Sequence, residues 1–386
     1  MASVKTQGSP KKLNSRSPKP RLIYADSERD PDMLYATGFF VPDAFVFLEQ
    51  KGKKSIVLSD LEVDRGRATA QVDEVLALTD VVKSLGLSVG AKVDEWLPRF
   101  LLKRKVTSVE VPQNFPLGVA CSLGEAGIEL HVVDGLFWAQ RELKNETELK
   151  YLRNALKITA QGIARGIEVL AASTIGTNGV LKWGNAVLTS ERLRAEIDSA
   201  VLRAGGAPAN TIVAGGNQAC DPHERGSGPL RSRELIIMDV FPRDPKTGYY
   251  GDMTRTVVKG GATDAQRHLW DTVRVAQQMV IKAMKPWDSG KALHESVQQF
   301  FEVQGFKTEQ HKGRWRGFFH GTGHGLGLEI HEEPRFGRAV FTPGQVLTVE
   351  PGIYWPGVGG ARIEDVVTVT DRGVRVLSSL PVQLEV

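Results

Sequence analysis

Ile236-Ile237-Met238-Asp239, followed by Gly251-Asp252-Met253-Thr254-Arg255-Thr256, is the stretch that decides how this chain folds. In both segments an aspartate interrupts an apolar or β-branched run, where a core strand would carry another valine or isoleucine. The residues between them contain the proline, aspartate and glycine that are typical of a turn. The pattern predicts two antiparallel strands folded near Pro245 and Lys246, with the two carboxylates directly opposite each other.

A second acidic pair repeats this layout later in the chain. Glu350 and Glu364 flank a turn-rich segment, residues 355–360, so the same opposed arrangement is expected. Four such carboxylates buried together would repel, and an unpaired buried carboxylate would take up a proton or unfold its surroundings. Two divalent metal ions about 3.5–4 Å apart, bridged by carboxylates, are the natural way to neutralise them.

Histidines lie between the two acidic pairs. His324 is surrounded by glycines at 321, 323, 325 and 327, which let the backbone come close to a ligand. Imidazole beside oxygen ligands suits manganese, which we favour, or cobalt, zinc or iron, better than calcium or magnesium. His320 and His331 lie nearby in sequence. Either one alone would be interpreted as a structural histidine, but this number of acids and histidines is not typical of core packing.

Three competing motifs are excluded by their spacing. The glycines around His324 do not follow the dinucleotide-binding fingerprint. His331-Glu332-Glu333-Pro334-Arg335 begins like a zincin helix, but arginine stands where a second histidine is required, and proline breaks a helix interior. The sequence also contains neither a phosphate-binding loop nor a serine nucleophile elbow.

Composition places the chain among ordinary globular proteins. It has 386 residues, of which 41% are hydrophobic and 24% charged, enough for two domains or one large one. No apolar run approaches the roughly 18 residues of a membrane span and no secretory signal is evident, so we expect a cytoplasmic protein without a membrane partner. Cys121 and Cys220 match neither a disulfide framework nor a zinc site, which predicts free, buried thiols.

The positive sign of the net charge, +4, comes from the N-terminal tail. Six basic residues precede the first acid, Asp26, and removing their charge from +4 leaves −2. No basic stripe interleaved with aromatics follows, which argues against a nucleic-acid partner. Residues 1–20 are rich in Lys, Ser, Pro and Gly and predict a disordered tail. A transit peptide is the alternative, but the amphipathic pattern is lacking.

Two domains are predicted after the tail. Residues 21–138 alternate short strands with helical periodicity, which is typical of a small α/β domain. Residues 139–386 combine long helices with antiparallel hairpins, which predicts an α+β domain. The helices predicted from periodicity and capping residues cover about 64–79, 94–105, 145–170, 186–203, 264–284 and 291–304.

The whole motif set resembles the pita-bread metallopeptidases, and among them it is most similar to aminopeptidase P and prolidase. The resemblance rests on Asp239, Gly251-Asp252-x-Thr254-Arg255-Thr256, His320-Gly-Thr-Gly-His324, His331-Glu-x-Pro334, Glu350-Pro-Gly and Arg362-Ile-Glu364-Asp365. Residues 34–39 and the hairpin after them are similar to the start of a creatinase-type N-terminal domain. The resemblance implies an α/β creatinase-like domain followed by an α+β pita-bread catalytic domain with a curved antiparallel sheet.

Site residues follow from this resemblance by position. It implies two divalent ions, bridged by Asp252 and Glu364, and five ligands: Asp239, Asp252, His324, Glu350 and Glu364. It also implies catalytic roles for His223, His331 and Glu350, although the Asp-Pro-His loop of His223 is equally an ordinary turn. The expected substrate-binding residues are His320, Arg335 and Arg362, with Arg335 at the substrate's carboxylate end.

The implied function is hydrolysis of the bond between an N-terminal residue and proline, in a homodimer. Two alternatives stay open: a prolidase restricted to Xaa-Pro dipeptides, and a non-catalytic peptide-binding protein on the same fold. One departure concerns the interval between Asp239 and Asp252, which is thirteen residues where the family commonly has eleven. An even insertion is expected to enlarge a loop and to leave the two carboxylates opposed.

Overall fold

The computed structural model describes residues 19–386, which form two compact units, one ending at Trp138 and the other comprising Ala139–Val386. Nearly all of the tail predicted to be disordered, residues 1–20, lies outside the described residues. Within residues 19–386, none of the helices combines the length and hydrophobicity that crossing a membrane requires.

The first unit is a mixed six-stranded sheet with helices. Its strands are β1 (Arg21–Ala25), β2 (Phe45–Gln50), β3 (Lys53–Leu58), β4 (Glu74–Ala77), β5 (Ser108–Val111) and β6 (Glu129–Val132). Its helices are α1 (Pro31–Thr37), α2 (Val63–Thr69), α3 (Leu78–Ser84), α4 (Val93–Lys103) and α5 (Leu117–Glu125). The strand order is β4-β3-β2-β1-β5-β6, with β1–β2 and β2–β3 antiparallel and the other neighbours parallel.

Two expectations about the first unit are wrong. A single helix over 64–79 does not form, because β4 lies between α2 and α3 and pairs with β3, placing Val75 beside Ile56. Pairing with a buried strand outweighs the local helical periodicity here. Cys121 is exposed and not buried, whereas Cys220 is a buried free thiol as expected.

The second unit is an α+β assembly in which every ladder between named strands is antiparallel. Its helices are α6 (Glu146–Ala172), α7 (Ser190–Arg203), α8 (Asp264–Ala283) and α9 (Gly290–Val303). Its first strands are β7 (Thr174–Ile175), β8 (Leu181–Trp183), β9 (Ala186–Val187), β10 (Ile212–Gly215), β11 (Leu235–Val240), β12 (Met253–Val258), β13 (Glu309–His311) and β14 (Arg314–Arg316). The remaining strands are β15 (His324–Gly325), β16 (Glu332–Arg335), β17 (Val346–Val349), β18 (Gly352–Trp355), β19 (Gly359–Arg362), β20 (Asp365–Thr370) and β21 (Gly373–Val376).

Helix boundaries in this unit follow their capping residues. The Asn145 side chain accepts from the backbone of the first turn of α6, and Glu148 bonds back to the Asn145 N–H, a complete capping box. The helix predicted from 186 begins later, at Ser190, because Thr189 caps it and Ala186–Val187 pairs with β8 instead.

Helix packing brings the strands of the site into place. The helix α6 lies against β11 so closely that a Cβ at Gly166 would sit 2.7 Å from Met238 Sδ. On another side, α8 and α9 pack on β17–β20 through a core that includes Trp270, Phe301 and Ile353. The acidic residues lie on or next to these packed strands. Asp239 is on β11, Asp252 precedes β12, Glu350 follows β17 and Glu364 lies between β19 and β20.

Candidate metal centre and active site

Asp239 lies on β11 and Asp252 lies just before β12, and the two residues are not directly opposed. Asp239 pairs with Thr254, so Asp252 is two residues away, a diagonal neighbour on the same face. The prediction of direct opposition is wrong because the turn lies later than expected: Gly248 donates to Asp244 O and has a φ of +82°. That conformation favours glycine and centres the turn after Lys246.

The second acidic pair has the predicted opposed register. Val349 pairs with Asp365 and Gly352 with Arg362, which places Glu350 opposite Glu364 between the two ladders. The two acidic pairs are joined through Thr254, whose hydroxyl donates to Glu364 Oε2 at 2.7 Å. Its carbonyl also accepts from the Glu364 N–H, 3.1 Å away.

His324 faces these carboxylates with its Nε2 atom. Its Nδ1 lies 3.1 Å from Gly325 O, so Nδ1 carries the proton and Nε2 presents a lone pair. Nε2 is 3.7 Å from Asp252 Oδ2 and 3.5 Å from Glu350 Oε1. Burial and the neighbouring His331 lower the pKa of His324 to about 3, which keeps it neutral. An imidazole nitrogen facing two carboxylates in this way is suited to holding a cation with them.

The carboxylates themselves also fit a divalent metal. Ligand atoms of Asp252, His324 and Glu364 all lie within 4.8 Å of one another. Asp239 Oδ1 is buried and has no hydrogen-bond partner among residues 19–386. Burial, together with repulsion from neighbouring carboxylates, raises the pKa of Asp252 and of Glu364 well above the ordinary range. Burial raises the pKa of Glu350 to about 7. Mixed oxygen and nitrogen donors suit a first-row transition metal.

One cavity of about 1070 Å³ brings together every site residue predicted from the sequence. Asp239, Asp252, His324 and Glu364 are buried in its wall, whereas His223, His331 and Arg335 are exposed. The His331 ring lies edge-on to His324, with 4.4 Å between the centroids. Arg335 Nη2 donates to His331 O at 3.3 Å, which links the Arg335 side chain to the backbone of His331.

Arg362 is a buried residue of the cavity wall, and its guanidinium is hydrogen-bonded to other protein groups. It donates to Asp239 Oδ2 at 2.7 Å, to the Tyr354 hydroxyl at 2.9 Å and to Thr254 Oγ1 at 3.2 Å. His320 Nε2 lies 2.8 Å from the same Tyr354 hydroxyl. Tyr354 was not predicted, and the only sequence signal for it was its place four residues after Glu350. The expected substrate contact of Arg362 stays a prediction.

A buried ion cluster next to His331 was also missed. Glu332 accepts from Arg141 Nη2 at 2.9 Å and from Lys144 Nζ, and all three side chains are at most 3% exposed. Arg141 also donates to Glu329. The cluster fixes β16, which carries Arg335 and begins directly after His331.

The buried acids and the neutral imidazole, with the cavity beside them, are the residue types that a metal-dependent hydrolase uses to hold its ions. Residues 150–371 match the sequence profile of metallopeptidase family M24. An Xaa-Pro dipeptidase of Pyrococcus furiosus is 31% identical over 257 residues, covering 65% of this chain and 67% of the relative. This chain belongs to metallopeptidase family M24, so the predicted resemblance and the predicted enzyme class are confirmed.

Solved structures agree in fold. The prolidase of Pyrococcus horikoshii OT3 has a TM-score of 0.76 at 23% identity, with 95% of both chains covered. The X-Pro aminopeptidase of Thermotoga maritima has a TM-score of 0.80 at 22% identity, covering 95% of this chain and 97% of that one. The predicted fold, an α/β creatinase-like domain and a pita-bread domain, is confirmed.

The metal-free protein is expected to lose stability as the pH rises from about 4 to about 7. The pKa values of Asp252, Glu350 and Glu364 are raised in the folded state, so over this range the folded protein holds more protons than the unfolded one. Unfolding then releases protons and is favoured by higher pH. Thermal melts in chelator should show Tm falling as the pH rises over this range. The increase in Tm that added metal produces should grow with pH. A gain that does not change with pH would contradict this.

Proposed function

We propose that this chain is a dinuclear metal-dependent peptidase that hydrolyses the bond between an N-terminal residue and proline. The observation that carries the proposal is the cluster of Asp252, His324 and Glu364 at the wall of a cavity large enough for a short peptide. The name of the Pyrococcus furiosus relative, Xaa-Pro dipeptidase, supports the substrate class. Proline's fixed φ and tertiary nitrogen give such a substrate a shape that calls for a dedicated pocket.

The proposed metal ligands are the five residues identified by position: Asp239, Asp252, His324, Glu350 and Glu364. Two ions are proposed because the four carboxylates carry more negative charge than one divalent cation neutralises, even with Arg362 paired to Asp239. Manganese is favoured, with cobalt, zinc and iron as alternatives. When bound, the ions supply Lewis acidity towards the scissile carbonyl and ionise a water molecule near neutral pH.

The chain's own groups then handle the proton and orient the peptide. Glu350, a proposed ligand beside the attacking water, takes a proton from that water and passes it to the leaving nitrogen. His331 and His223 line the exposed side of the cavity and donate to the developing oxyanion. His320, fixed by Tyr354, and Arg335, fixed by His331 O, orient the substrate.

The proposal is tested by release of the N-terminal residue from Ala-Pro and Ala-Pro-Phe. Protein stripped with chelator should be inactive, and adding manganese should restore activity, with cobalt and zinc measured in parallel. Ala-Ala and Ala-Ala-Phe serve as controls, because they lack the proline that the pocket is proposed to select. Equal rates on the control peptides, or activity that survives chelation, would refute the assignment.

A further inference from the structure

The segment from Asp244 to Gly251, called the clasp below, leads from β11 to Asp252. It closes on itself, because the Gly248 N–H donates to Asp244 O at 2.7 Å and the Asp244 N–H donates to Tyr249 O at 2.8 Å. Asp252 follows the clasp directly and lies outside the β11–β12 ladder, which begins one residue later. The position of Asp252 therefore depends on what holds the clasp.

The helix α6 holds the clasp through two side-chain hydrogen bonds. The Tyr249 hydroxyl donates to Glu148 Oε1 at 2.7 Å, and Asn154 Nδ2 donates to Asp244 Oδ2 at 3.0 Å. Tyr249, Glu148 and Asp244 are all buried. The other oxygen of Glu148 accepts from the Asn145 N–H in the capping box of α6. One buried carboxylate thus ties the start of the helix to the clasp.

Gly251 makes a third contact with α6, through its backbone. A Cβ at this position would lie 2.5 Å from Ala155 O and closer still to Thr159 Oγ1, so a larger residue would force the backbone to move. The Gly251 N–H also donates to Pro242 O at 2.9 Å. Because Gly251 directly precedes Asp252, this contact sets how far Asp252 lies from the helix.

The clasp is also bonded to the glycine-rich segment around His324. The Tyr250 N–H donates to Gly327 O at 2.9 Å, three residues after His324. His324 Nε2 in turn lies 3.7 Å from Asp252 Oδ2. The clasp is therefore attached to α6 and to the segment that carries the imidazole, so it holds two of the proposed metal ligands in place relative to each other.

We infer that the clasp is a positioning element for the metal centre, with Tyr249 and Gly251 as its positioning residues. The inference rests on the proposed function, because it takes Asp252 and His324 as metal ligands, and it adds two residues that do not line the cavity. A ligand that is already held in place loses little conformational entropy when an ion binds. Loosening the clasp should therefore weaken metal binding without unfolding the chain.

The test compares Tyr249→Phe with wild type by equilibrium dialysis of metal-free protein against manganese. The dissociation constant for manganese is expected to rise about tenfold, because the variant keeps the ring and loses the hydrogen bond to Glu148. Tyr250→Phe is the matched control from the same segment. The Tyr250 hydroxyl has no hydrogen-bond partner among residues 19–386, and only the backbone of this residue holds the clasp, so its dissociation constant should not change.

Gly251→Ala should have the larger effect, a rise of roughly a hundredfold, because the added Cβ pushes the backbone before Asp252 away from Ala155 O. Activity on Ala-Pro-Phe gives a second measurement. For Tyr249→Phe, kcat/KM should be low at limiting manganese and return close to the wild-type value at saturating manganese. A merely structural role of Tyr249 would instead lower Tm in chelator and leave the dissociation constant unchanged.

The outcomes separate the two claims. An unchanged dissociation constant in Tyr249→Phe, or an equal rise in Tyr250→Phe, overturns the inference and leaves the proposed function standing. If wild-type protein binds no manganese, the proposed metal centre fails and the inference fails with it. Circular dichroism in chelator checks that each variant is folded, and Tyr249→Phe alone decides if Gly251→Ala does not fold.

Discussion

Asp252→Asn is expected to lower kcat/KM on an Xaa-Pro peptide roughly a thousandfold or more, a loss of about 4 kcal/mol of transition-state stabilisation. Asp252 lies in the cluster with His324 and Glu364, and an amide cannot replace the charge of the carboxylate that we propose as a metal ligand. Metal content measured after dialysis should fall as well. Asp271→Asn, at a partly exposed position away from the cavity, is the control and should retain wild-type activity.

The same substitution is expected to stabilise the metal-free protein. Burial, and repulsion from Glu364, Asp239 and Glu350, raise the pKa of Asp252, so its charge is unfavourable when no cation is present. An asparagine removes that charge while keeping the shape. In chelator at pH 7, Asp252→Asn should therefore melt at a higher temperature than wild type, and added metal should reverse the order. Retained activity, or a lower Tm in chelator, would contradict the metal-site assignment.

Glu332→Ala is expected to lower the free energy of unfolding by about 3–5 kcal/mol, because it leaves two buried cations without their shared carboxylate. Arg141 is 3% exposed and Lys144 1% exposed at the side chain, so water cannot replace the lost partner. Activity should fall too, since β16 fixes the segment that carries His331 and Arg335.

Urea unfolding measured by circular dichroism checks this prediction. Glu333→Ala is the control one residue away. Among residues 19–386 its exposed carboxylate accepts only from the Arg335 N–H, and we expect a change below about 1 kcal/mol. A loss below about 1 kcal/mol for Glu332→Ala would show that the cluster is dispensable. Lys144→Met should also lower the free energy of unfolding, because it removes one of the two cations that compensate Glu332.

The convergence of the four acids on one cavity was predictable from sequence, because each acid closes or interrupts an apolar run and that conflict is visible locally. The register of Glu350 and Glu364 followed from the turn residues between them. The offset of Asp239 from Asp252 could not be predicted in this way, because it depends on where the Asp244–Gly248 hydrogen bond closes the turn. When the centre of a turn moves by one residue along the chain, the pairing partner of each strand residue changes by two residues.

Long-range contacts explain the other features that were not predicted from the sequence. Arg141 and Glu332 are 191 residues apart, and no local pattern indicates that they meet. The strand β4 was missed because its pairing with β3 is decided by the sheet and not by its own sequence. The roles of individual site residues, the domain limits, manganese, the homodimer and the cytoplasmic location stay predictions.

The pairing of Asp239 with Arg362 has a consequence for how the centre would fill. One oxygen of Asp239 accepts from the guanidinium, while the other is buried and has no hydrogen-bond partner within the described part of the chain. A cation can therefore attach to the second oxygen without breaking the first contact. Filling would need no rearrangement of this side chain, so Asp239 itself should add no slow conformational step to the uptake or exchange of ions.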